Sequence, residues 1–193
     1  MRTLILSAIT TLDGFISGPD GELDWIPADD ELHRHFTREL ESADMVLYDR
    51  ASYEVLVPFW DEFDLRDDAS PEAVIEFAKV FRTKSRLVFS TMLKPVDERA
   101  VLIEGDVASE ISSLKNQAGN HLLIDCGPEL LATCVKHELI DEYRLVVAPI
   151  ALGIGKSLFG DLQGRLHLEL LSTSSFASGA VQHRYQPAQR QPS

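Results

Sequence analysis

Short apolar runs rich in branched residues alternate along the chain with stretches whose apolar residues recur at helical spacing. The runs are Leu4–Ile9, Met45–Tyr48, Arg86–Phe89, Val101–Ile103, Leu122–Ile124 and Tyr143–Ala148, each of strand length and too short for a helix. Between them, Leu32, Phe36 and Leu40 share one helical face, as do Ala73, Val74, Phe77, Ala78 and Phe81. Val107, Ile111 and Leu114 repeat the pattern, and so do Leu130, Leu131, Cys134 and Val135. Each such stretch has a start signal: Asp29 or Asp30, Ser70-Pro71, Asp106 and Gly127-Pro128. Strands alternating with helices predict a mainly parallel sheet with helices on both faces, a three-layer α/β/α arrangement. The end of the chain departs from this. Arg165–Ser174 and Gly179–Tyr185 are strand-like and joined by a short Phe-Ala-Ser-Gly turn, which predicts an antiparallel hairpin and a mixed sheet. One domain is expected over 1–186, followed by a frayed tail at 187–193. In such sheets ligands bind beyond the carboxyl ends of the strands. The loops after the first, second, third and fifth runs are therefore the places to look for chemistry.

Composition narrows the partners. The chain has 193 residues, 45% hydrophobic and 25% charged, enough to bury a core without disulfides or metal. Its net charge of −13 and the lack of a basic stripe exclude nucleic acid. No apolar run approaches the roughly 20 residues of a membrane span. The apolar N-terminus is interrupted by Ser7, Thr10 and Thr11, and no small-residue cleavage site follows. It therefore reads as a buried first strand rather than a signal peptide. Cys126 and Cys134, eight apart, show no redox or metal spacing and are expected as free thiols in a reducing, cytoplasmic setting.

The segment after the first strand contains Gly14, Gly18, Gly21, Pro19 and Pro27. A loop of roughly fifteen residues is long for a compact domain, and long ordered loops tend to be functional. Asp13-Gly14 and Asp20-Gly21 fit turns, and Asp29 fits a helix cap. Other constellations fail on geometry. His33 and His35 point apart on a helix. His35 and Glu39 are four apart but lack a third ligand, so a solvated pair is expected and no metal site. Gly153-x-Gly155-Lys156 lacks the spacing of a phosphate loop and reads as a plain glycine-rich turn. No Gly-x-Ser-x-Gly element is present.

Three stretches together carry a family likeness: the strand, Asp-Gly loop, Trp25 and Pro27-Ala28-Asp29 entering a helix; Ala43-Asp44-Met45-Val46-Leu47-Tyr48-Asp49-Arg50-Ala51-Ser52-Tyr53-Glu54; and Leu139-Ile140-Asp141-Glu142-Tyr143-Arg144-Leu145 running into Gly153-Ile154-Gly155-Lys156-Ser157-Leu158-Phe159. Over nearly the whole chain the sequence resembles the dihydrofolate-reductase-like family. It is most similar to the C-terminal reductase domain of the bifunctional riboflavin-biosynthesis deaminase/reductase and its stand-alone bacterial relatives. The resemblance implies that Asp29 is the carboxylate that orients a ring and assists its protonation, with Asp30 competing for that role. Ser7 and Asp13 are implied as substrate contacts. Ile9, Gly18, Arg50, Ser52, Ser90, Gly127, Pro128 and Glu129 are implied as cofactor contacts. Arg50 would face the 2′-phosphate of NADPH, and Ser52 and Gly127 would lie at helix N-termini that meet its pyrophosphate. Asp49, Thr91, Asp125 and Cys126 depart from the family pattern, each at a cofactor-facing loop. Asp49 or Asp125 accepting from a ribose hydroxyl would turn preference toward NADH. The resemblance also implies a homodimer. The residues leave two functions open: hydride transfer from NADPH or NADH to a small pterin-, pyrimidine- or carbonyl-type substrate, or a non-catalytic domain that binds nucleotide or another small molecule.

Overall fold

Residues alternate sides along a strand, and the first strand sorts its apolar side chains accordingly. In β1 (Thr3–Thr10), Leu4 and Leu6 belong to one core cluster and Ile5 to another. A computed structural model describes residues 1–27, 29–67, 69–90 and 98–188. It continues with β2 (Phe15–Ser17), α1 (Asp30–Ser42), β3 (Ala43–Asp49), α2 (Arg50–Glu62) and α3 (Glu72–Thr83). Next come β4 (Ser85–Phe89), β5 (Ala100–Ile103), α4 (Val107–Lys115), β6 (His121–Asp125) and α5 (Pro128–Lys136). The chain then forms β7 (Glu142–Val147), β8 (Lys156–Ser157), β9 (Leu168–Ser175) and β10 (Val181–Pro187).

Eight strands form one sheet in the order β5-β4-β3-β6-β1-β7-β10-β9. The six from β5 to β7 are parallel, and β10 and β9 are antiparallel to their neighbours. The alternation seen in β1 recurs across the sheet. Leu47, Leu87, Leu122 and Ile124 join Leu4 and Leu6 against Ile111 of α4 and Leu130, Leu131 and Cys134 of α5. Val46, Tyr48, Val88 and Leu123 join Ile5 against Leu40 of α1, Tyr53 and Val57 of α2 and Phe81 of α3. The three-layer mixed sheet with a C-terminal antiparallel pair is thus the architecture observed.

Differences lie at the margins. β9 opens at Leu168 rather than Arg165. β10 extends to Pro187, and Ala188 N–H donates to His167 O, so the first residues of the expected tail are bound into the sheet. Residues 189–193 of that tail lie outside the described residues. The small second sheet, β2 with β8, was not predicted, because strands of three and two residues leave no period to read. No helix among the described residues is long and apolar enough to cross a membrane.

One buried ion pair fixes where α2 meets the sheet. Arg86 of β4 is 1% exposed and donates to both carboxylate oxygens of Asp61, at 2.7 and 2.8 Å. Arg99 adds a third bond to Asp61 at 2.9 Å, and the Arg86 guanidinium lies 5.0 Å from the Phe81 ring. This pins the C-terminal end of α2 to β4, while its N-terminal end abuts β3. Truncating one partner of a buried pair strands a desolvated charge and costs about 3–5 kcal/mol. Asp61→Ala is expected to lose stability in that range in urea titrations; a loss below about 1 kcal/mol would show that the pair does not anchor the helix.

Candidate functional site

Three adjacent strands, β3, β6 and β1, send their chains to opposite faces of the sheet. β1 and β3 lead to α1 and α2 on one face, and β6 leads to α5 on the other. A crevice opens at such a switch. Here it holds a cavity of about 450 Å³. One half is apolar, walled by Ile9, Phe36, Leu40, Trp60, Phe77 and Phe81. The other is polar and includes Ser17, Ser52, Asp125, Gly127 and Lys156.

The polar half is built by helix starts. The first N–H groups of a helix lack internal partners and carry partial positive charge. Asp49, the last residue of β3, caps α2: its Oδ1 accepts from Ser52 N–H at 2.7 Å. Its Oδ2 accepts from Gly127 N–H at 2.6 Å, at the turn that opens α5. One carboxylate therefore takes the amides that an external anion would need. A Cβ on Gly127 would lie 2.9 Å from that Oδ2 and 3.1 Å from Lys156 Nζ, so only glycine leaves this contact unstrained. Asp125 is part-buried at the same wall. Removal from water, and then the neighbouring charge of Asp49, push its carboxyl up to about 7. Burial likewise raises the Cys126 thiol well above its ordinary range, which makes it a poor nucleophile.

The apolar half has a different polar edge. Ser7, midway along β1, donates its hydroxyl to Oε2 of Glu39 at 2.5 Å. Glu39 is only 5% exposed, and its Oε1 receives Gln182 Nε2 at 3.2 Å and Arg144 Nη1 at 3.3 Å, with His35 Nε2 at 3.2 Å. Burial alone would push this carboxyl up. The bonds from His35 and Ser7, with the electrostatic attraction of His35 and the Arg144 guanidinium, outweigh it and hold Glu39 below the ordinary glutamate value. The expected solvated His35–Glu39 pair is therefore corrected: it is part of a buried network. Among the described residues no cluster suited to a metal is present.

The structure brings Ser7, Ile9, Gly18, Ser52 and Gly127 together at the cavity. It places the other candidates elsewhere. Asp29 caps α1, accepting from Glu31 and Leu32 N–H through Oδ1 and from Ser178 N–H through Oδ2 at 3.0 Å. These bonds lower its pKa despite some desolvation, and the residue ties α1 to the β9–β10 turn. Asp30 pairs with Arg34 on the exposed face of α1. Asp13 accepts from Thr11 Oγ and from the N–H groups of Leu152 and Gly153, joining two turns. Arg50 is exposed and paired with Glu54 at 3.2 Å. Ser90 follows β4 with its N–H on Ile103 O. Pro128 and Glu129 form the first turn of α5 without lining the cavity. Thr91 lies outside the described residues. Glu39, Lys156 and Trp60 line the cavity without having been singled out as site residues. Lys156 stands at the end of the glycine-rich turn because Gly155 passes against Ser17 O, where a Cβ would come within 2.3 Å. That strand pairing, rather than any phosphate-loop spacing, delivers the lysine.

The profile of the RibD C-terminal domain family matches residues 2–182. The uncharacterized protein YyaP of Bacillus subtilis (strain 168) is 34% identical over 184 residues, 95% of this chain and 94% of that protein. A putative riboflavin biosynthesis protein from Shewanella sp. PV-4 superposes with a TM-score of 0.75 at 24% identity, covering 98% of this chain and 100% of that one. Dihydrofolate reductase from Enterococcus faecalis, complexed with NADP(H), superposes at 0.65 and 12% identity over 97% of both chains. The fold is that of dihydrofolate reductase.

Asp125 makes the site sensitive to pH. Its folded pKa of about 7 exceeds the ordinary aspartate value of 3.8, so between these values the native protein keeps a proton that the unfolded chain loses. That contribution to stability is complete below about pH 4 and disappears as pH rises through about 7. Wild type is therefore expected to lose about 1–3 kcal/mol more than Asp125→Asn between pH 5 and pH 8, allowing for the partial exposure of the carboxyl. Denaturant unfolding at both pH values checks this; parallel losses would show that Asp125 ionises normally.

Proposed function

The chain belongs to the RibD C-terminal domain family, and on that premise we propose that it is a reductase using NADPH or NADH to reduce a small heteroaromatic or carbonyl-bearing substrate. The observation that carries this reading is the two-part cavity at the carboxyl edge of the sheet. Its apolar half suits a flat ring, and its polar half presents the Ser52 and Gly127 turns and Lys156 to an anionic group. A pyridine nucleotide supplies hydride. The protein's share is to hold the two rings together and exclude water.

The residues fit a nucleotide on one condition: Asp49 must release the Ser52 and Gly127 amides to phosphate. Arg50, turned onto Glu54 outside the cavity, is not placed to favour a 2′-phosphate, so NADH is as well suited as NADPH. The proton that accompanies hydride has no source at Asp29, whose carboxylate is held in cap bonds. Asp125, whose carboxyl is pushed up to about 7 by burial and by Asp49, still holds a proton in a large share of molecules near neutral pH and lines the cavity, which makes it the better-placed acid.

The bonds of Asp49 also favour a second reading, a small-molecule-binding domain without hydride transfer, because a filled anion site needs no cofactor. Thermal unfolding with each nucleotide separates the two. A ligand at a hundred times its dissociation constant stabilises by about 2.7 kcal/mol. NADPH or NADH at millimolar concentration is expected to raise the wild-type midpoint. Asp49→Gly, which empties the cradle, is expected to enlarge the shift relative to its own unliganded midpoint. No shift in either protein would leave only the second reading, and equal shifts would show that Asp49 does not compete with phosphate.

A further inference from the structure

A hydroxyl can donate once and accept twice, so whatever takes its proton decides what its other side offers. The Ser7 proton is committed to Glu39 Oε2 at 2.5 Å, a distance typical of a bond to an ionised oxygen. Glu39 stays ionised because Arg144, Gln182 and His35 gather at its other oxygen. Those groups are fixed in turn. Arg144 Nε is held by Glu142 Oε1 at 2.7 Å, Arg184 Nε reaches the same oxygen at 2.7 Å, and Gln182 is 4% exposed on β10. The network lies behind the cavity wall and gives Ser7 no route to release its proton. Toward the cavity Ser7 therefore presents lone pairs, while the carboxylate oxygens of Glu39, which lines the same wall, are engaged by Ser7, Arg144, Gln182 and His35.

We infer that Ser7, oriented by Glu39, is an obligate hydrogen-bond acceptor that selects an uncharged, flat, mainly apolar substrate carrying an N–H or O–H on the edge facing β1. This rests on the reading of the cavity as the substrate site and names the substrate class. The ring is uncharged because the charge of Glu39 is already met by Arg144 and its neighbours. It is mainly apolar because Ile9, Phe36, Leu40 and Trp60 surround Ser7's side of the cavity. A ring with only acceptors at that edge would set lone pair against lone pair and leave a desolvated serine unmatched. Glu39 is a positioning residue: it acts on the substrate through the direction of one hydroxyl.

Indole and benzofuran, two rings of one shape that differ by an N–H donor, test this without any nucleotide. Their dissociation constants are measured by NMR titration on the full chain. Wild type is expected to prefer indole about tenfold, the worth of one good hydrogen bond. Ser7→Ala is expected to bring the ratio to about one, since it removes the acceptor while keeping the apolar wall. Glu39→Gln lets an amide donate to Ser7 and turns the hydroxyl around, so the ratio should fall there too; Glu39→Asp should restore part of it. The ratio within one variant is unaffected by a general loosening of the fold, which weakens both probes alike. Equal binding of the two rings by wild type, binding of neither at millimolar concentration, or a preference that survives Ser7→Ala would each overturn the inference. Nucleotide binding is unaffected by any of these results, so the reductase reading stands or falls separately.

Discussion

The carboxylate of Asp49 joins three parts of the molecule through two short bonds: the end of β3, the first turn of α2 at Ser52, and the turn at Gly127 that opens α5. Two helices on opposite faces of the sheet are thereby tied to one strand end, and the cavity lies between them. The same two bonds answer the orphan N–H groups that make helix starts attractive to anions. The fold is thus completed by filling, with its own side chain, a place that would otherwise attract phosphate. The neighbouring Asp125 feels the consequence, and its carboxyl is held near neutrality by burial and by the Asp49 charge. For a ligand that must enter this half, affinity is reduced by the fraction of molecules in which Asp49 has turned away. The bonds that make the fold definite therefore make this half of the cavity selective.

The other half of the cavity is governed by a second buried carboxylate. Glu39 sits on α1, but its partners come from β1, β7 and β10, so the network spans the layers. Such a network is tolerated inside a protein only when its members are matched. Matching them leaves Ser7 with one direction for its proton. Specificity at the cavity wall thus follows from satisfying polar groups behind it.

Much of the architecture was legible in the sequence because it rests on two periods. The strands reading Leu4–Ile9 and Leu122–Ile124 and the helix reading Leu32–Leu40 follow from spacing alone, and Asp106 and Gly127-Pro128 mark their helix starts as observed. What was not legible depended on contacts across the fold. α2 is 13 residues long with Pro58 inside it, and the spacing of apolar residues does not mark it, since the proline interrupts the local pattern. The β2–β8 pair is too short to have a period, yet it delivers Lys156. The site was half legible. Ser7 and Ile9 reach the cavity from one face of β1, and Gly18, Ser52 and Gly127 reach it from a strand end and helix starts. Asp29 matches a motif, but its side chain answers the nearer need of capping α1. The importance of Glu39 was hidden, because an i, i+4 spacing with His35 looks the same whether the face meets water or a sheet.

A nicotinamide ring bound in this cavity would lie against its apolar wall, and Trp60, which lines it, provides the reporter. Excitation of tryptophan in the presence of NADPH or NADH should produce sensitised nicotinamide emission, and Trp60→Phe should lower it well below the wild-type level, leaving only the share contributed by the buried Trp25. Saturable sensitised emission that depends on Trp60 is the expected result. Saturable nucleotide binding with no transfer from Trp60 would place the nicotinamide elsewhere and contradict it.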